Sequence, residues 1–258
     1  NGIMAAVTHL GEETFFMLLA LLFLWCIDKR RGYYLLLVGF TGTILNQMLK
    51  ITFCIPRPWV LDPSFSIVEA ARAQATGFSF PSGHTQNAVG TFGGIAYTTK
   101  RRSVRIVCII LALLIAFSRL YLGVHTPLDV GVSLLAAAAL VFALAPVPEE
   151  AKRRSNYLLH VWMLMLLPAL IFLLYALHVR SGASGDLTNF NSAVKNAWCM
   201  LGGVAGIILT IFLDERFLRF ETQAVWWAQL IKLTAGLGLV VAVRAGLKAP
   251  LYALLGQG

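Results

Sequence analysis

Long apolar runs with almost no polar interruption restrict this chain to a fold inside a lipid bilayer. The segments Thr14–Ile27 and Val104–Phe117 are nearly continuous hydrophobic sequence, without the turn signals that a soluble domain needs. Hydrophobic residues make up 58% of the 258 residues, and charged residues only 13%. Because backbone polar groups in lipid must be satisfied within the chain, such runs cross the membrane as helices. The sequence therefore predicts an all-α, polytopic membrane helical bundle.

The apolar sequence divides into about eight predicted transmembrane helices, since about 20 residues are needed to cross the hydrocarbon core. Their predicted ranges are Thr14–Ile27, Tyr33–Leu49, Thr85–Thr99, Val104–Phe117, Pro127–Ala145, Tyr157–Val179, Ala193–Leu213 and Trp226–Val243. The first and third ranges are short, and each reaches spanning length only by including polar neighbours. Residues 1–11 lack the charged start and cleavage pattern of a signal peptide, so we expect mature chain or an expression remnant there.

The net charge of +9 is concentrated in alternate loops. The basic clusters are Lys29, Arg30 and Arg31; Lys100, Arg101, Arg102 and Arg105; Lys152, Arg153 and Arg154; and Arg216 with Arg219. The positive-inside rule predicts that these loops face the cytoplasm. Residues 50–83, 118–126 and 180–196 then face the opposite side, and we expect a plasma (inner) membrane location. Nucleic-acid binding is not predicted, because no stacking aromatic residues alternate with the basic ones.

The cysteines give no sign of a metal site. They show neither a CxxC pattern nor a His-rich neighbourhood, so the sequence predicts no bound zinc and four free thiols. The four residues are Cys26, Cys54, Cys108 and Cys199.

A first polar cluster stands where the second predicted helix ends. Lys50 and Arg57 lie seven residues apart, and Pro56 and Pro58 flank Arg57 and stop the helix. The planar fork of an arginine suits two phosphate oxygens, while a lysine supplies a mobile point charge. The alternative is that both cations only reach from the span end to the membrane interface.

A second cluster, Pro81-Ser82-Gly83-His84, directly precedes the third predicted helix. Ser82 is a typical helix cap, Gly83 allows a ligand to approach the backbone, and the helix start favours an anion. His84 would then stand beside a bound phosphate. The alternative is a plain cap followed by an interfacial histidine.

A third cluster runs from Ser118 and Arg119 to His125 and Asp129. Thr126 as cap and Pro127 as first helical residue bring His125 and Asp129 within about one turn. Asp129 can then accept Nδ1–H of His125 and leave Nε2 free to attack phosphorus. The alternative is that Asp129 is only a carboxylate at a helix start.

Together the three clusters resemble the type 2 phosphatidic acid phosphatase family, membrane lipid phosphate phosphatases of the vanadium haloperoxidase and glucose-6-phosphatase superfamily. The family signature is K-x6-RP, then PSGH, then SR-x5-H-x3-D, and the resemblance extends over about residues 14–145. Every fixed position is matched, by Lys50, Arg57, Pro58, Pro81, Ser82, Gly83, His84, Ser118, Arg119, His125 and Asp129.

The resemblance implies that His125 is the nucleophile, Asp129 its orienting partner and His84 the acid that protonates the leaving oxygen. It assigns phosphate binding to Lys50, Arg57, Ser82, Gly83 and Arg119. It also implies a phosphohistidine intermediate, with no metal and no cofactor. We therefore expect a lipid phosphate monoester or pyrophosphate to be hydrolysed at the non-cytoplasmic face.

Three other functions remain open from the sequence. A phosphotransferase would pass the phosphate from the same histidine to an acceptor hydroxyl, and a related phosphatase would act on a soluble ester such as a sugar phosphate. A non-catalytic transporter or scaffold would also suit eight spans, but the intact catalytic residues argue against it.

Two expectations concern organisation. We expect residues 1–180 to form the catalytic membrane core, of about six helices in the family, and residues 181–258 to add C-terminal transmembrane helices packed on that core. The segment Trp59–Gly77 is either an amphipathic interfacial helix over the site or a plain connecting loop.

Overall fold

The protein is described by a computed structural model over residues 2–72, 75–183 and 186–255. Within these ranges the chain is helical and contains no strand, which confirms the all-α class. The helices are α1 (Gly2–His9), α2 (Glu13–Leu22), α3 (Lys29–Phe53), α4 (Pro58–Leu61), α5 (Glu69–Arg72), α6 (Gly83–Ala88), α7 (Gly94–Thr98), α8 (Arg102–Tyr121), α9 (Pro127–Ala143), α10 (Val147–Arg153), α11 (Tyr157–Leu164), α12 (Leu166–Gly182), α13 (Leu187–Leu213) and α14 (Trp226–Leu255). Short π-helical turns follow α2, α6 and α13.

Six helical stretches of the described chain are long and apolar enough to cross a membrane, which makes the protein an integral, multi-pass membrane protein. They are Lys29–Leu61, Arg102–Tyr121, Pro127–Arg153, Tyr157–Gly182, Leu187–Leu218 and Trp226–Leu247. A seventh is reached only if α1 and the helix from Glu13 to Ile27, which meet at a 51° bend, count as one span.

The predicted count of eight is therefore not confirmed. The helical stretch at the third predicted span runs only from Gly83 to Thr98, because residues 99–101 leave the helical conformation. The first predicted span is preceded by a bend at residues 10–12 instead of extending through it. Composition alone did not reveal either of these breaks.

Helix α3 is the centre of the bundle. It contacts α2, α6, α9, α12 and α13, and its residues from Gly32 to Phe40 are all buried. Asp28 caps its start by accepting the backbone N–H groups of Arg30 and Arg31 at 3.0 and 3.2 Å. Its last residue, Phe53, is followed by Cys54 in a left-handed conformation (φ 47°), which turns the chain into the first polar cluster.

The C-terminal helices differ in how they pack. Helix α13 lies along α12 and also contacts α3, so it joins the body of the bundle. Helix α14 contacts the π-helical turn after α2, and in the isolated chain none of the residues in its membrane-length stretch is buried and most are exposed. That exposure suits an apolar helix surrounded by lipid.

The two ends of α3 differ in the residues that gather around them. A cavity of about 1130 Å³ lies at its first residue, Lys29, and is lined by residues of three basic loops, including Arg30, Arg154, Arg216 and Arg219. Lys50 stands near the other end, about 30 Å away at about 1.5 Å per residue. The basic loops and the first polar cluster therefore occupy opposite ends of one helix.

The segment Trp59–Gly77 is not a continuous helix where it is described. It contains the single-turn helix α5 and most of α4, joined by irregular chain, so the connecting-loop alternative is the correct one. Residues 73 and 74 lie outside the described ranges.

Candidate active site

The three polar clusters meet at the end of α3 that carries Lys50. Helix α6 packs against α3, α8 and α9, so its first residues lie between the first and third clusters. The backbone N–H of Ser82 donates to the carbonyl of Asp129 at 3.2 Å, and the Lys50 ammonium donates to the carbonyl of Phe78 at 2.6 Å. The predicted site residues thus come from the end of α3, the start of α4, the start of α6, the end of α8, and the start of α9 with the turn before it.

His125 lies between a cation and a carboxylate and is 3% exposed. Its Nε2 is 3.0 Å from Nη1 of Arg57, and its Nδ1 is 3.3 Å from Oδ2 of Asp129. A guanidinium can only donate, so in this arrangement Nε2 accepts and Nδ1 carries the proton. The contact with Arg57 therefore selects the tautomer in which the Nε2 lone pair is available for attack.

Burial lowers the pKa of His125 well below its ordinary value, and the hydrogen bond with Asp129 only partly opposes this. The cations Arg57, Lys50 and Arg119 lower the pKa further. The imidazole is consequently neutral near pH 7, which is the state a nucleophilic nitrogen requires.

A positive-φ glycine shapes the turn that presents His125. Gly123 has φ 72°, a conformation that other residues rarely adopt. A Cβ at this position would also lie 2.5 Å from the carbonyl oxygen of Ser66. The turn between α8 and α9 therefore requires glycine for both backbone conformation and space.

Asp129 receives three donors on a single oxygen. Its Oδ2 accepts from the hydroxyl of Ser79 at 2.6 Å, from the backbone N–H of Thr126 at 2.8 Å and from Nδ1 of His125 at 3.3 Å. Thr126 in turn accepts the backbone N–H of Asp129, which completes a capping box at the start of α9. Asp129 is therefore a helix-start carboxylate and a histidine partner at once, so the two sequence alternatives are compatible.

Ser79 was not identified from the sequence. It is 1% exposed and lies outside the three clusters, two residues before Pro81. The only local signal is a lone hydroxyl between Phe78 and Phe80, and nothing in the spacing relates it to Asp129.

Arg57 is held on several sides and is 7% exposed. Its guanidinium donates to the backbone carbonyls of Thr76, Gly77 and Val124 at 2.7, 3.0 and 2.9 Å, as well as to His125. These contacts use the Nε and both terminal nitrogens. A phosphate at this site would share Arg57 with the backbone, so the free two-oxygen clamp suggested by the sequence is incomplete.

The start of α6 has the predicted cap. The Ser82 hydroxyl accepts from the backbone N–H of Thr85 at 3.4 Å and from its hydroxyl at 3.0 Å. Gly83 follows as the first helical residue and is only partly buried. The backbone around Gly83 is therefore open to a small ligand.

His84 points a ring nitrogen into the protein without satisfying it. Its Nε2 is buried and has no hydrogen-bond partner among the described residues. Burial, followed by the positive charges of Arg119, Arg57, His9 and Lys50, lowers the pKa of His84 to about 3. An anion placed among these cations would offset their repulsion and raise the pKa of His84 again.

Arg119 lies deeper than its position at the end of α8 suggested, at 2% exposure. Its Nη1 donates to the hydroxyl of Thr8 at 2.5 Å, while its Nε has no hydrogen-bond partner within the described ranges. Thr8 belongs to α1 and carries no motif, so the sequence did not associate it with the site.

The arrangement combines three cations with two neutral imidazoles and one carboxylate. Such a site attracts an oxyanion through Lys50, Arg57 and Arg119 and presents a lone pair at His125. One nitrogen each of His84 and Arg119 has no hydrogen-bond partner in the part of the chain that the structure describes, and these nitrogens can act as donor or acceptor for a ligand. The chemistry that fits is nucleophilic attack on a phosphoryl group with proton transfer to its leaving oxygen.

Comparison with known proteins gives a consistent result. Residues 31–153 match the family model of the PAP2 superfamily. The chain is 31% identical over 168 residues to phosphatidylglycerophosphatase B of Bacillus subtilis, covering 59% of this chain and 77% of the relative. It is 28% identical over 144 residues to undecaprenyl-diphosphatase BcrC of the same organism, covering 55% and 72%.

Two further similarities extend the comparison. An undecaprenyl-diphosphatase of Sulfolobus acidocaldarius is 30% identical over 132 residues, which cover 50% of this chain and 62% of the relative. The crystal structure of a PAP2 type phosphatidylglycerolphosphate phosphatase from Bacillus subtilis matches at 31% identity with a TM-score of 0.49, covering 59% of this chain and 78% of that one.

Proposed function

Because the chain belongs to the PAP2 superfamily, we propose that it is an integral membrane hydrolase that removes phosphate from a lipid phosphate monoester or pyrophosphate. The observation that carries the proposal is the chain of contacts from Arg57 through His125 to Asp129. Relatives in this family are named both as a phosphatidylglycerophosphatase and as undecaprenyl-diphosphatases, so monoester and pyrophosphate substrates both fit.

In the first step, Nε2 of His125 uses its lone pair to form a bond to phosphorus while the bond from phosphorus to the leaving oxygen breaks. His84 gives its proton to that oxygen, and a phosphohistidine remains. The tautomer selected by Arg57 supports this role, because Nδ1–H points to Asp129 and stabilises the positive charge that develops on the ring. When the substrate binds, Nε2 must lose its hydrogen bond from Arg57 so that its lone pair can reach the phosphorus atom.

In the second step, water forms a bond to phosphorus while the bond between phosphorus and Nε2 of His125 breaks, and the now neutral His84 accepts a proton from that water. Phosphate leaves, and Nε2 of His125 regains its lone pair. The phosphate charge beside His84 supports its protonation before the first step, since the pKa of about 3 reflects burial and uncompensated cations. Proton transfer of this kind contributes about 10²- to 10⁴-fold to a rate.

Charge on the transferring phosphoryl group is balanced by side chains in this proposal. Lys50, Arg57 and Arg119 supply three positive charges, and Ser82 and Gly83 supply the start of α6. Within the described ranges, no group of three or more His, Cys, Asp or Glu residues is arranged to hold a metal ion. Because side-chain cations can balance the phosphoryl charge, we propose a metal-independent reaction.

The two ends of α3 support a proposal for the side of the membrane on which the site lies. Basic loops gather at its first residue and the catalytic groups near its last turn. The positive-inside rule then assigns the site to the extracytoplasmic face of the plasma (inner) membrane. We also propose that residues 1–180 form the catalytic core and that residues 181–258 are additional helices packed on it.

The proposed function is tested by phosphate release from purified protein in detergent with EDTA present. Substrates are phosphatidic acid, phosphatidylglycerophosphate, undecaprenyl diphosphate, a sphingoid phosphate and a sugar phosphate. We expect EDTA-resistant release from at least one lipid and a loss of about 10³-fold or more in His125→Ala. His178→Ala, an exposed histidine on α12, is the matched control.

Two outcomes would contradict the proposal. Equal turnover in the His125→Ala and wild-type proteins would remove the nucleophile from the mechanism. Release from the sugar phosphate alone would replace a lipid substrate with a soluble one. Comparing phosphate released with substrate consumed also separates hydrolysis from transfer to an acceptor hydroxyl.

A further inference from the structure

The first helix of the chain reaches the candidate active site from outside the matched family region. Residues 2–9 form α1, whereas the family match begins at residue 31. Helix α1 packs on α8, and Met4 packs against a small buried cluster that includes Leu122 and Val124, next to His125. Helix α1 therefore borders the candidate active site as well as packing on the helical bundle.

Thr8 is the residue of α1 that enters the site. It is 2% exposed, and its hydroxyl accepts from Nη1 of Arg119 at 2.5 Å. This contact joins residues 111 positions apart in the chain. A threonine has few side-chain rotamers, so its hydroxyl is held in a narrow range of positions.

The bend after α1 brings the segment close to His84. At Gly11, an added Cβ would lie 2.7 Å from Cγ2 of Ile115 and 3.1 Å from the carbonyl oxygen of His84. Only glycine allows this approach without displacing one of the two. The bend thus fixes α1 close to the start of α6, which carries the proposed acid.

The charge of the group that accepts a hydrogen bond from Arg119 determines how much positive charge Arg119 can offer to a phosphate. A carboxylate at the position of Thr8 would orient the guanidinium but would also neutralise much of its charge. The nearby carboxylate of Glu12 is instead 2.6 Å from Nδ1 of His9. A neutral hydroxyl holds one end of the Arg119 fork, and the buried Nε keeps no partner among the described residues.

We propose that Thr8 is a positioning residue for phosphate transfer: its hydroxyl orients the Arg119 guanidinium so that Nε and the charge remain directed to the phosphate. This inference rests on the proposed function, because the phosphate is the group that Arg119 would bind. Thr8 itself does not contact the reacting atoms in this role.

The test compares Thr8→Val, which keeps shape but loses the hydroxyl, with Thr8→Ser, which keeps the hydroxyl. Turnover is measured on whichever of the lipids named above the wild-type protein hydrolyses fastest. The affinity for orthovanadate is measured from the rise in the midpoint temperature of unfolding that orthovanadate causes in detergent. We expect Thr8→Val to lose about 10- to 100-fold in kcat/KM and in vanadate affinity, the size of a charge-assisted hydrogen bond. Thr8→Ser should recover most of both.

Thr210→Val is the matched control. Its hydroxyl bonds the carbonyl of Gly206 within α13 and has no contact with the site. We expect wild-type turnover and wild-type vanadate affinity from this variant. If Thr8→Val cannot be purified, Thr8→Ala takes its place in the same comparison.

A double-mutant cycle with Arg119→Lys separates positioning from general destabilisation. Lysine keeps the charge but has no Nη1, so Thr8→Val should have little further effect on vanadate affinity in that background. Additive losses, or equal affinity of Thr8→Val and wild type, would overturn the inference. The vanadate readout needs no turnover, so a wild-type protein without phosphatase activity would contradict the proposed function while the cycle still decides the role of Thr8.

Discussion

The hydroxyl of Ser79 offers a direct way to test how Asp129 controls His125. Ser79 donates to Oδ2 of Asp129 at 2.6 Å, the shortest of the three contacts on that oxygen, and both residues are almost fully buried. A hydrogen bond to a charged group contributes about 1.5–3 kcal/mol. Asp129 keeps two donors after Ser79→Ala, so we expect the lost free energy to lie near the lower end of this range. Such a loss corresponds to a decrease of about tenfold in turnover.

The kinetic signature of Ser79→Ala should be specific. The hydroxyl of Ser79 donates to Asp129, and the Lys50 ammonium contacts only the backbone carbonyl of Ser79, at 3.5 Å, which Ser79→Ala keeps. We therefore expect kcat to fall while KM changes little. Oδ2 of Asp129 would interact more strongly with Nδ1–H of His125 once a competing donor is lost. This raises the pKa of His125, so the acidic limb of the kcat/KM profile should move to higher pH.

Ser133→Ala supplies the control for this prediction. Ser133 is also fully buried, and its hydroxyl donates at 2.8 Å to the backbone carbonyl of Asp129 but not to the carboxylate. Phosphate release by both variants is followed in detergent across the pH range. If Ser79→Ala behaves like Ser133→Ala in both kcat and pH profile, the proposed control of His125 through Asp129 is wrong.

Two further predictions concern the cations. Arg57→Lys loses the contacts with Val124 and Nε2 of His125, so kcat/KM for phosphate release should fall about 10²-fold, and an unchanged value would contradict the tautomer argument. Vanadate should bind more tightly at about pH 6 than at about pH 8, because the oxyanion raises the pKa of His84 from about 3 and the complex then holds an extra proton. The measurement is the inhibition constant of vanadate at each pH, corrected for titration of the free oxyanion. A corrected constant that does not change with pH would contradict this prediction.

Local features of the site were accessible from the sequence. The predicted caps at Ser82 and Thr126 depend on residues within three positions, and both are present. The helical class followed from the apolar runs, which is a property of composition and needs no knowledge of packing. The sequence also predicted that His125 and Asp129 lie within one turn, and Nδ1 of His125 is 3.3 Å from Oδ2 of Asp129.

Contacts between distant segments were not accessible. Ser79 reaches Asp129 across 50 positions and Thr8 reaches Arg119 across 111, and neither serine nor threonine carries a spacing signal. The binding of Arg57 to the backbone carbonyls of Thr76 and Gly77 likewise depends on how the 59–77 segment folds, which its mixed composition did not determine. The predicted count of eight spans was not confirmed, because hydropathy does not register a bend such as the one at residues 10–12.

The most direct test of the account is to trap the covalent intermediate. Rapid mixing with a substrate labelled in its phosphate, followed by alkaline quenching, preserves a phosphohistidine, and peptide mapping then identifies the residue that carries it. We expect label on His125 in the wild-type protein within the first turnover and none in His125→Ala. Label on another residue, or turnover without any labelled histidine, would contradict the attack of His125 on phosphorus.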